Sequence, residues 1–169
     1  MKLGMGLMRM VKGAALAALI VVVAAGVGSG APGGSQTVTV LAAASLDITV
    51  PPVAAIASTG PGACGTTSTT INVKSNKPYN LQIRSEPTAY ANGKAKFGAV
   101  ELTNALQYGL AGTGPWTNVT STYANIFGAS QPKTTGLGVS HEIFYQQCIE
   151  WADDPGSYTI VVEYLGTQP

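Results

Sequence analysis

One histidine, two cysteines and a short run of acids are the side chains through which this 169-residue chain could do chemistry. His141 adjoins Glu142 at the start of an alternating apolar stretch. Adjacent residues of a strand point to opposite faces, so the two cannot act as an acid–base dyad, and we expect His141 to be a solvated strand-end side chain. Any Ser-His-Asp scheme would have to use this one imidazole. Glu150, Asp153 and Asp154 gather at a turn and present oxygen ligands of the kind Ca²⁺ takes. They lack the Asp-x-Asp-x-Asp-Gly spacing of a calcium loop, and a solvated turn is the plainer expectation. No aromatic-rich subsite accompanies these carboxylates, which argues against glycoside hydrolysis. The chain is therefore expected not to be an enzyme, with no catalytic residue, no metal and no cofactor.

Two other groups of residues suggest binding or modification. Trp116, Tyr123 and Trp151 carry flat rings of the kind that stack on sugar faces, so a secreted carbohydrate-binding module is the alternative function. Trp151 follows the second cysteine closely and is expected in the core, whereas Trp116, after Gly112-Thr113-Gly114-Pro115, is expected nearer the surface. Asn118-Val119-Thr120 is a glycosylation sequon in a predicted loop, which makes Asn118 a candidate acceptor.

The compartment follows from the first thirty residues. Lys2, Arg9 and Lys12 precede an apolar run over residues 14–27, then small residues (Gly28, Ser29, Gly30, Ala31) and Pro32-Gly33-Gly34-Ser35. Fourteen helical residues reach about 21 Å, short of the roughly 30 Å hydrocarbon core, so residues 1–31 read as a cleaved signal peptide rather than a permanent span. Export implies a secreted or cell-surface location and no membrane attachment once the leader is removed. In that setting Cys64 and Cys148 read as one disulfide, the alternative being two free buried thiols. Nine basic residues against eight acids, three of the basic ones in the leader, leave no excess with which to neutralise a phosphate backbone, and nucleic acid is excluded as a partner.

The remaining chain is built on period two. Val38 and Val40; Leu46, Ile48 and Val50; Ile71 and Val73; Tyr79, Leu81 and Ile83; Leu106, Tyr108 and Leu110; Ile143 and Tyr145; and Tyr158, Ile160, Val162 and Tyr164 each alternate with polar or small residues. Ser75-Asn76-Lys77-Pro78 reads as the turn of a β-hairpin, and Asp153-Asp154-Pro155-Gly156 as a second turn. Seven to nine short strands separated by Gly, Pro and Asn, with hardly a helical stretch, predict an all-β fold. The expected architecture is an antiparallel β-sandwich over residues 45–169. Residues 32–44 form a flexible segment before it. This segment either completes its own sheet or adds to the open edge of a neighbouring copy, and Val38, Val40, Leu46 and Ile48 are the apolar residues that would carry such an assembly strand.

Three blocks resemble secreted prokaryotic surface proteins: Ile71-Asn72-Val73-Lys74-Ser75-Asn76-Lys77-Pro78-Tyr79-Asn80-Leu81-Gln82-Ile83, Ala105-Leu106-Gln107-Tyr108, and Trp151-Ala152-Asp153-Asp154-Pro155-Gly156-Ser157-Tyr158-Thr159-Ile160. They are similar to blocks in WxL-like cell-surface proteins and in spore coat U type, pilin-like domains. That resemblance implies an immunoglobulin-like or pilin-like sandwich with a structural or adhesive role. Pilin-like domains of this kind polymerise by strand donation, so a filament subunit is expected whose partners are copies of itself or other surface proteins, with glycans as partners under the carbohydrate-binding alternative.

Overall fold

The computed structural model describes residues 39–57 and 59–169. The chain divides into two units, Met1–Ala43 and Ala44–Pro169. The expected signal peptide (residues 1–31), Val38 and most of the segment expected to be flexible lie outside the described residues. Of the first unit only residues 39–43 are described, without regular structure.

The second unit is all-β, with no helix among its described residues and every strand pairing antiparallel. Ten strands follow in chain order: β1 (Leu46–Thr49), β2 (Ala63–Ser75), β3 (Asn80–Ser85), β4 (Lys96–Phe97), β5 (Val100–Glu101), β6 (Gln107–Gly109), β7 (Thr117–Asn118), β8 (Ala124–Asn125), β9 (Val139–Ile149) and β10 (Val162–Thr167). They form a five-stranded sheet in the order β1-β2-β9-β6-β7, a three-stranded sheet β10-β3-β8, and a β4-β5 ribbon.

The longest strand, β2, begins with Ala63-Cys64-Gly65-Thr66-Thr67-Ser68-Thr69-Thr70, which has no apolar alternation. Four β-branched threonines suit a pleated surface, and pairing with β9 over eleven positions, from Ala63↔Ile149 to Val73↔Val139, holds the strand in place. The apolar period two continues from there. Ile71 and Val73 on β2, Leu81 and Ile83 on β3, Tyr108 on β6, and Ile143 and Tyr145 on β9 all face one core shared by both sheets. Each fully buried aliphatic side chain contributes about 1.5–3 kcal/mol, so the two inner faces account for most of the cohesion between the sheets.

The turn at residues 75–78 does not close a hairpin. β2 pairs with β1 and β9, whereas β3 pairs with β10 and β8, so the chain crosses here from one sheet to the other. Local bonding draws the chain off the β2 ladder. The Ser75 N–H donates to Thr134 Oγ1 and its carbonyl accepts from the Thr134 N–H, while its hydroxyl bonds Lys77 O. Pro78 has no N–H to offer a ladder. Ile71 and Val73 thus meet Leu81 and Ile83 across the core rather than lying beside them. The predicted long alternation near the C-terminus is likewise shorter, because Tyr158 and Ile160 precede β10 and only Thr159 bridges to Lys96.

Candidate functional site

β1 pairs only with the last four residues of β2, from Leu46↔Ser75 to Thr49↔Asn72. Continued in the same register, residues 50–57 would pair with residues 64–71. Pro51 and Pro52 stop this, because neither can donate to a ladder and each forces extended geometry on the residue before it. Beyond Thr49 the chain instead runs as a strap, and no hydrogen bond ties residues 50–57 to another described residue. Along residues 63–71 the flank of β2 away from β9 therefore has no strand partner among the described residues. The outer flank of β10 has none either.

These two flanks border one groove with a cavity of about 960 Å³, roofed by the strap. Leu102, Leu106, Ile160 and Val162 supply apolar wall, and Thr67 and Thr69 come from the open half of β2. Tyr145 and Tyr164 also line it, their hydroxyls hydrogen-bonded to each other. Burial raises the pKa of both phenols, so both stay neutral. Gly65 is a point of close approach. A Cβ there would come within 2.6 Å of Ile56 Cγ2, so the absent side chain is what lets Ile56 of the strap seat against β2. Directly across the ladder from Gly65 is Gln147, 7% exposed and also part of the groove wall. Its Nε2 donates to the carbonyls of Asn104 and Cys148. Its Oε1 is buried with no hydrogen-bond partner among the described residues.

Cys64 and Cys148 are opposed in the β2–β9 ladder and joined by a disulfide. Leu46 and Ile48, expected as assembly residues, are instead taken up as β1 of their own sheet, packed against the core and over Gly166 of β10. Val40 is 83% exposed and precedes β1 without joining a strand, and Val38 is outside the described residues.

His141 is not a solvated strand end. Its Nε2 lies 2.6 Å from the Tyr79 hydroxyl, and its ring packs on Phe127 with centroids 4.7 Å apart, because residue 141 falls on the inward face of β9 with Ile143 and Tyr145. Glu142 points the other way and accepts from the Ser68 hydroxyl, so the two form no dyad. Burial lowers the His141 pKa below its ordinary value of 6.5. A base whose folded pKa is depressed stabilises the fold fully above its unfolded pKa and loses that contribution as pH falls toward the folded value. Stability is therefore expected to be flat above about pH 7 and to fall as the pH is lowered below the ordinary value of 6.5. Glu86, Glu101 and Asp153 titrate below their ordinary range and so contribute only at lower pH. Urea midpoints measured above pH 7 and at successively lower pH below 6.5, for wild type and His141→Gln, check this; an equal drop in the variant would assign it to other groups.

The acids at the second turn serve structure. Asp153 Oδ1 accepts from the N–H and hydroxyl of Thr103, and Oδ2 from the N–H of Glu150. Burial pushes its pKa up, but these bonds outweigh it and hold the carboxyl low. Glu150 accepts from Asn104 Nδ2. Among the described residues no three His, Cys, Asp or Glu side chains are grouped to hold a metal ion.

The three rings do not gather into one platform. Tyr123 is covered by the Arg84 guanidinium, 4.2 Å from its centroid, with Arg84 in turn bonded to Glu163 at 2.7 Å. Trp116 leans over Gly109 and Gly114 at the β6–β7 connection. Trp151, expected in the core, is 84% exposed. The disulfide joins neighbouring strands at the end of one sheet, and the chain turns outward just after it, so no inner face is there to receive the indole. Asn118 is exposed on β7, its Oδ1 accepting from Gln107 Nε2.

The open edge of β2 and the orphan Gln147 oxygen escaped an apolar-pattern reading. Pro51-Pro52 directly after an alternating run was the available signal, since it ends an edge strand and leaves its neighbour uncovered. No helix of the described residues is long and apolar enough to cross a membrane. Comparison of the chain with protein-family models and with curated proteins finds no match to either.

Proposed function

We propose that the protein is an extracellular structural or adhesive β-sandwich of the immunoglobulin-like or pilin-like kind, and a surface-filament subunit whose copies join by strand addition. The observation that carries this reading is the flank of β2 over residues 63–71, which has no strand partner among the described residues and opens on an apolar groove. A free strand edge presents alternate N–H and C=O groups to any extended chain, and the groove beside it accepts every second side chain of that chain. The disulfide and the export-like leader support an extracellular setting. The two sheets, joined through one core, support the sandwich.

The donor is the segment before β1, whose Val38 and Val40 alternate with threonine. A contact in which one copy's segment fills the next copy's groove does not close on itself, and so grows as a fibre. The test is the double variant Val38→Asp, Val40→Asp in the full exported chain. Negative-stain microscopy should show fibres for the wild type and none for the variant, while both retain the same unfolding midpoint. Fibres in the variant, or a wild type that stays monomeric at high concentration, overturn the reading.

A further inference from the structure

The two most exposed large apolar side chains among the described residues of the Ala44–Pro169 unit, Leu137 at 87% and Trp151 at 84%, flank one strand. Leu137 stands two residues before β9 and Trp151 two after it, so the eleven residues of that strand hold them at opposite ends of the five-stranded sheet. Leu137 lies in the turn closed by the Gly138 N–H and Thr135 O, beside Lys74. Ser75 bonds both Lys77 O and Thr134, which brings Lys77 and Lys133 to the same end. The two ion pairs found among the described residues, Arg84–Glu163 and Lys96–Glu101, use none of these three lysines, and Asp47 is the acid opposite Lys74 in the ladder. At the other end Trp151 sits near Gly62, in one turn with Glu150, Asp153 and Asp154, and Lys94 is close enough to act on Asp153. Each end thus pairs a bare apolar side chain with an excess of one charge, basic beside Leu137 and acidic beside Trp151.

Single exposed apolar residues are ordinary on a protein surface, so exposure alone assigns nothing. The register of β1 supplies the second constraint. A donor that continues the line of β1 runs antiparallel to β2, from opposite Ile71 to opposite Cys64, and residues 36–43 fill those eight positions with residue 43 at the Cys64 end. Entry from the other end is closed, since β1 already pairs with residues 72–75. From residue 43 to Leu46, where β1 of the donating copy begins opposite its own Ser75, are three backbone steps, at most about 11 Å. The Ser75 end of one copy must then abut the Cys64 end of the next. Building on the strand-addition reading, we infer that these ends form a second contact between copies, in which Trp151 of the receiving copy packs against the Leu137 turn of the donating copy and Glu150 and Asp154 face Lys74, Lys77 and Lys133. Such a contact joins unlike surfaces, so it repeats along a fibre without closing, and it places at its centre the type of side chain that most often anchors an interface.

The test uses the full exported chain with its disulfide intact, which leaves no free cysteine among the described residues. Leu137→Cys and Trp151→Cys are assembled separately and as an equal mixture, then treated with a short bis-maleimide. Because unlike ends meet, covalent dimers should form in the mixed fibres and in neither single variant, and the double variant should give a ladder of higher multimers. In parallel, Trp151→Asp should raise the concentration needed for assembly about tenfold. Below that concentration, binding of a fluorescent peptide of residues 36–43, Gln-Thr-Val-Thr-Val-Leu-Ala-Ala, should match the wild type, because the peptide carries no Leu137 end. If Trp151→Asp fails to fold, Trp151→Ser carries the same comparison. Where fibres form and the peptide binds saturably, dimers in a single variant, no dimers in the mixture, or a Trp151→Asp chain that assembles like the wild type overturn the end contact and leave strand addition standing. Absence of both fibres and saturable peptide binding overturns strand addition, and this inference with it.

Discussion

Reducing the disulfide, or replacing Cys148 by Ser, is expected to lower the melting temperature by roughly 10–20 °C. The two cysteines are 84 residues apart in sequence, so the bond removes a large closed loop from the freedom of the unfolded chain. In the chain-entropy picture that is worth about 4.5 kcal/mol, against a net stability of roughly 5–15 kcal/mol for a domain. The bond also closes the end of the longest ladder, where β2 and β9 are flanked by the turn at Gly60–Ala63 and by the Glu150–Asp153 turn. Loss should therefore appear first as exchange of amides at the Cys64 end, before global unfolding. Calorimetry with and without reductant measures the shift. A change of only a few degrees would mean that the β2–β9 pairing itself, and not the cross-link, holds the two strands in register.

Gly93→Ala is expected to be the most damaging single substitution by a small side chain, costing about 3–5 kcal/mol. Gly93 is buried, has φ +66° and ends a turn in which its N–H donates to Tyr90 O while its carbonyl accepts from Leu106 N. A Cβ there would collide with the backbone carbonyl of Val119, a residue only 1% exposed and part of the core. Backbone cannot rotate away as a side chain can, so the cost combines a left-handed conformation with displacement of a packed segment. Gly98, with φ +62° but nothing within 4 Å of its Cβ position, is the control. Gly98→Ala should cost only about 1–2 kcal/mol, the conformational part alone. Denaturant unfolding of both variants separates the steric from the conformational contribution. Equal losses would show that the Val119 segment yields freely.

Both variants affect folding, whereas the His141 and Val38/Val40 experiments address the environment of a half-buried base and the filling of the groove. They are separable because the groove lies between flanks of β2 and β10 that have no strand partner among the described residues. The same openness explains why the strap matters. Two prolines remove donors where a continuous β1 would have sealed β2, and an unsealed edge is what natural sheets ordinarily avoid.

How much of the molecule is legible in its sequence depends on whether the relevant signal is local. Period two at Leu46-Ile48, Ile71-Val73, Leu81-Ile83 and Ile143-Tyr145 determined an all-β second unit, because alternation in sequence is alternation of faces on a strand. The same rule separated His141 from Glu142. Two cysteines left one intramolecular pairing to consider. Other features depended on which strand lies beside which, and no local pattern encodes that. Ser75-Asn76-Lys77-Pro78 suits a hairpin and a crossing between sheets equally well. Thr134, nearly sixty residues away, decides between them by taking both backbone groups of Ser75. The polar half of β2 forms a strand because β9 pairs with it. Alternation could place His141 on a face but not say that Tyr79 and Phe127 would cover that face, nor that the chain after Cys148 would carry Trp151 outward. The groove is likewise tertiary, since it exists only where two sheet flanks from distant parts of the chain border one another with no described strand between them.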